Sequence, residues 1–112
     1  MNILIVDDEE LMVRALSRHL KFEACRVYTA SDMEQAKHML SHQFMDVVVT
    51  DMDLGEGSQH GRSLLKWVEE YSPMTRRVLM SGTQFTSQTA PEAQHVLHKP
   101  FLFDELKHVM TA

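Results

Sequence analysis

Apolar residues fall into five short runs along the chain, and the stretches between them repeat apolar positions at helical spacing. Ile3-Leu4-Ile5-Val6 is continuous and β-branched, the pattern of a buried strand in a parallel sheet. Asp7-Asp8-Glu9-Glu10 then puts negative charge where a helix dipole favours it, and Met12, Ala15, Leu16, His19 and Leu20 predict a helix from Glu9 to Leu20. Arg26 to Thr29 is a weaker strand. Ser31 and Glu34 have capping-box spacing and open a second helix with Met33, Ala36, Lys37 and Leu40 on one stripe. Asp46 to Thr50 is the clearest strand and ends at Asp51.

Gly55, Gly57, Ser58 and Gly61 predict a loop after Asp51. Leu64, Leu65, Val68 and Tyr71 define a third helix, stopped at Ser72-Pro73. Arg77 to Met80 is a fourth strand ending at Ser81-Gly82. Periodicity then fails from Gly82 to Gln94, leaving a loop with at most one helical turn near Pro91-Glu92-Ala93. His95 to His98 is a last strand, broken by Lys99-Pro100, and Phe103, Leu106, Lys107, Val109 and Met110 predict a final helix. Strands alternating with helices imply right-handed βαβ units: an α/β fold with a doubly wound, five-stranded parallel sheet and helices on both faces. Ligands of such sheets lie beyond the carboxyl ends of the strands.

With 112 residues the chain fits one domain, 1–112. A net charge of −5 argues against a nucleic-acid surface. The apolar runs are too short to span a membrane, and Met1-Asn2 lacks the basic start of a signal peptide. Cys25 is alone, so no internal disulfide forms, and a cytoplasmic location fits. The nine methionines read as core filler.

Strand ends carry the candidate chemistry: Asp7 and Asp8, then Asp51, Ser81 and Lys99. Carboxylates crowded together repel and call for a cation, and oxygen ligands select a hard one such as Mg2+. Asp51 is placed to act as a nucleophile toward phosphorus, with the Lys99 ammonium and the Ser81 hydroxyl stabilising the transferred oxygens. Each residue also has a plainer reading: Asp7-Asp8 as a helix cap, Lys99 as a solvated lysine, Ser81 as a turn residue, Asp53 as a solvated loop residue. His38 and His42, four apart, read as a helix end, and Trp67 and Tyr71 as packing or surface aromatics.

Ile3 to Glu9, Asp46 to Leu54, Leu79-Met80-Ser81-Gly82 and His98-Lys99-Pro100-Phe101 together resemble the receiver domains of bacterial response regulators in two-component signalling, over nearly the whole chain. The resemblance implies a flavodoxin-like fold. It implies direct Mg2+ ligation by Asp8 and Asp51, ligation by Asp7 through water, and ligation by the Asp53 carbonyl. It also implies phosphorylation of Asp51 by a histidine kinase or phosphotransfer protein, movement of Ser81 toward the phosphate, pairing of Lys99 with it, and a cis Lys99-Pro100 bond. The only reaction it implies is the chain's own phosphorylation and dephosphorylation, and a homodimer is compatible with it.

Two departures stand out. Val96 occupies the switch position where the family carries Tyr or Phe, and the stretch from Ser81 to Lys99 is several residues short, so the fourth helix is short or absent and the output route is in doubt. The chain reads equally as a free-standing domain or the front of a longer regulator. Two competing functions remain. Val49-Thr50-Asp51-Met52-Asp53 resembles the Asp-x-Asp of haloacid dehalogenase-like phosphatases, although there it closes the first strand of a longer domain. A receiver-like interaction domain working without phosphate is the other.

Overall fold

A computed structural model describes residues 1–21, 25–54, 60–82 and 90–111. Its elements are β1 (Asn2–Val6), α1 (Glu10–Lys21), β2 (Arg26–Ala30), α2 (Met33–His42), β3 (Val47–Asp51), α3 (His60–Tyr71), β4 (Arg76–Ser81), β5 (His95–His98) and α4 (Phe103–Thr111). The strands form one parallel sheet in the order β2-β1-β3-β4-β5. The pattern of the chain predicts every one of these elements to within a few residues.

Alternation of side chains along the strands divides the core into two layers. Ile3, Ile5, Val47, Val49, Val78, Met80 and Leu97 face one way and pack with Leu16 and Leu20 of α1 and Leu106 and Met110 of α4. Leu4, Val6, Val48 and Leu79 face the other way and meet Ala36 and Leu40 of α2 and Leu64, Leu65 and Val68 of α3. A wholly buried Leu or Ile contributes about 1.5–3 kcal/mol over an exposed one, which makes these layers the main source of stability.

Three local readings change. The cap of α2 is Asp32, not Ser31: its carboxylate accepts the Gln35 N–H at 2.8 Å, and Gln35 Oε1 reaches back to the Ser31 N–H at 2.9 Å. The cap lies one residue later than the spacing of Ser31 and Glu34 suggests, because Asp is as good a cap as Ser, and the returning Gln35 bond reaches the residue before the cap. Of the stripe read for α1, Leu16 and Leu20 are buried and Met12 is half-buried, whereas Ala15 and His19 are exposed, as is Tyr71 of α3. Gly61 lies within α3 rather than in the preceding loop; Gly55, Gly57 and Ser58 fall outside the described residues.

Between β4 and β5 the described residues hold a tight turn, closed by the Ala93 N–H on the Ala90 carbonyl at 3.0 Å. The rest of that connection, 83–89, lies outside the described residues. Ala90 and Ala93 are buried in the layer beneath α2 and α3.

His95 opens β5 with Nε2 3.2 Å from Arg76 Nη1. Burial, the Arg76 charge and His108 hold its pKa below 6.5. A depressed histidine adds stability above the unfolded value and loses it as pH falls through the folded one. Thermal melts below pH 6.5 should therefore drop more steeply for the native chain than for His95→Gln; parallel curves would contradict this.

Candidate functional site

The strand order reverses between β1 and β3, so their carboxyl ends leave a crevice there. Asp7 and Asp8 follow β1 and Asp51 ends β3, which brings residues distant in sequence to one edge. One carboxylate oxygen from each of Asp7, Asp8 and Asp51 lies within 4.8 Å of the others. Lys99, directly after β5, reaches in from the side: Nζ is 2.9 Å from Asp51 Oδ1 and 3.5 Å from Asp7 Oδ2. The Lys99-Pro100 peptide is cis.

Asp7 is only 2% exposed, while Asp8 is open to solvent. Both Asp7 oxygens are engaged: Oδ1 accepts the Glu9 N–H at 2.9 Å just before α1, and Oδ2 faces Lys99. Burial raises the Asp51 pKa; the hydrogen bond and charge of Lys99 pull it down, and the charges of Asp7 and Asp53 push it up again. Burial by itself would lower Lys99, but its bonds and charge contacts with Asp51 and Asp7 together raise it. The two directions agree physically. Among the described residues, Asp51 lies beside the anions Asp7 and Asp53 as well as Lys99, and Lys99 lies beside the anions Asp51 and Asp7.

Three carboxylates facing one ammonium leave an excess of negative charge, and the donor set is all oxygen, with Asp8 open to water. That set fits a hard divalent ion that keeps part of its hydration, as Mg2+ does. Asp53 is exposed, and its charge acts on Asp51. Ser81 is wholly buried at the end of β4, with Oγ 3.9 Å from Met52 Sδ and its carbonyl accepting the Lys99 N–H at 2.7 Å. Val96 is half-buried and pairs with Leu79 in the sheet.

Sequence reasoning missed several supports. The Thr50 hydroxyl donates to the Asp51 carbonyl at 3.0 Å from a fully buried position. The Gly61 N–H donates to the Met52 carbonyl at 3.0 Å, and a Cβ on Gly61 would stand 2.0 Å from the Asp51 carbonyl oxygen. Helix α3 therefore starts against the main chain of the central carboxylate, a close approach only glycine permits. The glycine itself was the available signal; its partner was not readable.

The family model for the response regulator receiver domain matches residues 3–111. The chain is 31% identical over 110 residues to the transcriptional regulatory protein CutR of Streptomyces coelicolor, covering 95% of this chain and 50% of that protein. It thus spans about half the length of CutR. Among solved structures, the beryllofluoride-activated NtrC4 receiver domain dimer superposes with a TM-score of 0.84 at 26% identity, over 98% of this chain and 93% of that one. TrrA of Thermotoga maritima, solved in complex with Mg(2+)-BeF, gives 0.86 at 23% identity over 98% and 96%. Sheet order, the acidic crevice with its lysine, and a family match over almost the full length converge: this chain belongs to the response regulator receiver domains of two-component systems.

Proposed function

We propose that Asp51 is the phosphoacceptor and that residues 1–112 act as one cytoplasmic switch unit, phosphorylated by a histidine kinase or phosphotransfer protein. The supporting observation is the 2.9 Å pair of Asp51 and Lys99 with Asp7 and Asp8 alongside. An Asp51 carboxylate oxygen attacks the phosphorus of a phosphohistidine. The new P–O bond forms as the P–N bond breaks, and the departing imidazole nitrogen keeps the electron pair. Lys99 holds the Asp51 carboxylate in place and then pairs with the phosphoryl oxygens. Ser81, at the end of β4, donates its hydroxyl to them and so becomes the moving switch residue beside Val96. Asp8 and Asp51 directly, Asp7 through water and the Asp53 carbonyl would hold Mg2+, whose positive charge would stabilise the same oxygens. Water later attacks the same phosphorus, the Asp51 O–P bond breaks to restore the carboxylate and release inorganic phosphate, and the chain's catalysis is confined to its own phosphorylation and dephosphorylation. Homodimerisation is a candidate response, as the NtrC4 relative is an activated dimer.

The phosphatase alternative has no support: the family match is to receivers, and Asp51 ends the third strand, not the first. Incubation with acetyl phosphate should add one phosphoryl group to the intact chain in Mg2+ and none after chelation. Mg2+ by itself should also raise the melting temperature, since a ligand at a hundred times its Kd stabilises the folded state by about 2.7 kcal/mol. Phosphorylation that persists in chelator would defeat the metal assignment; none in either condition would defeat the acceptor assignment.

A further inference from the structure

The turn that enters β5 carries an acidic residue bonded to both elements that flank the acceptor. The Glu92 carboxylate is ion-paired with Arg62 Nε of α3, the side chains being only 12% and 26% exposed. The Glu92 carbonyl accepts from Arg77 Nε of β4 at 2.9 Å. Gln94 fastens the same turn to the same strand: its N–H donates to the Arg77 carbonyl at 3.0 Å, and its Oε1 accepts the Arg77 N–H at 2.8 Å. Arg62 adjoins Gly61, whose amide bonds to Met52 one residue beyond Asp51, and Arg77 lies on the strand that ends in Ser81.

We propose that Glu92 is a positioning residue for the phosphoryl chemistry: by clasping Arg62 while its main chain holds Arg77, it ties the first turn of α3 to β4. A phosphoryl group on Asp51 draws Ser81 toward it, and in this proposal the movement is carried by a shift of β4 relative to α3. The clasp opposes this shift and sets how readily the pocket accepts the group. A half-buried ion pair has the strength for such a role, because breaking it costs more than breaking an exposed one. The inference rests on the acceptor reading above.

The test is calorimetric titration of the whole chain with beryllofluoride in excess Mg2+, a mimic of the phosphoryl group. Glu92→Gln keeps size and removes the clasp charge; it should bind at least threefold more tightly than the native chain. Arg62→Gln breaks the clasp from the other side and should do the same, which keeps the question open to decision if Glu92→Gln does not fold. The charge exchange Arg62→Glu with Glu92→Arg should return affinity toward native. Glu69→Gln, exposed on α3, should change nothing. A lowered melting temperature with native affinity in both clasp variants would reduce Glu92 to a structural tether, and weaker binding would reverse the proposed sign. No binding by the native chain would instead strike the acceptor reading, and this inference with it.

Discussion

Asp51→Asn abolishes phosphoryl incorporation from acetyl phosphate, with a loss of at least a hundredfold, to background, while the fold survives. The amide fills the same space and can still accept from Lys99, but it is neither a nucleophile toward phosphorus nor a strong Mg2+ ligand. Stability should respond in the opposite sense to activity. Because burial raises the Asp51 pKa, the folded state binds its proton more readily than the unfolded state does. The benefit of that proton is fully present below the unfolded value of 3.8 and is lost as pH rises through the raised folded value. At neutral pH without metal, the native chain therefore carries the cost of an ionised Asp51, and the asparagine variant does not. The variant's melting temperature should equal or exceed the native one there, and the gap should close toward low pH. Added Mg2+ should raise the native melting temperature more than the variant's. Intact-mass analysis and parallel thermal melts read all of this. Phosphorylation of the variant at the native level would place the acceptor elsewhere.

Gly61→Ala is expected to be the most damaging small substitution. Its Cβ would lie 2.0 Å from the Asp51 oxygen and 2.9 Å from both Asp51 C and Met52 Cα. These are main-chain atoms of β3 and its end, fixed by the sheet, so no side chain can swing aside. Helix α3 would have to lift off the strand, breaking the Gly61 to Met52 hydrogen bond and opening the layer formed by Leu64, Leu65 and Val68. Overpacking of this kind costs about 3 kcal/mol or more, which in a domain of this size lowers the melting temperature by about 10 °C or more. Ser63→Ala, on the exposed side of the same turn, is the control and should shift it little. Phosphorylation of whatever Gly61→Ala protein remains folded should also slow, because α3 helps hold the acceptor's main chain. A melting temperature within a degree or two of native would show that the helix start has more freedom than its packing indicates.

Much of this architecture was legible along the chain. Parallel strands covered on both faces must be apolar throughout, and Ile3 to Val6 and Val47 to Val49 are. The boundaries of β5 could be read outright because Lys99-Pro100 ends it. Weaker patterns slipped by a residue or a few: Asp32 and Ser31 are both good caps, and one-dimensional spacing gives no ground for choosing between them. Ala15, His19 and Tyr71 have the spacing of buried stripes yet lie exposed, since periodicity tells which residues share a face and only packing tells how wide the buried face is.

The chain by itself determined the alternation of strands and helices, and with it the edge of the sheet at which Asp7, Asp8, Asp51, Ser81 and Lys99 emerge. That follows from local causes: side-chain period, turn residues and the fixed hand of crossovers. Tertiary structure alone decided the distances at which Lys99 meets Asp51 and Asp7, that Gly61 rests on the Asp51 carbonyl, and that Glu92 joins Arg62 to the strand of Arg77. These are contacts between residues far apart in sequence, each made by a side chain or turn whose own neighbours in the chain say nothing about its partner. Such meetings are settled when the helices close over the two faces of the sheet.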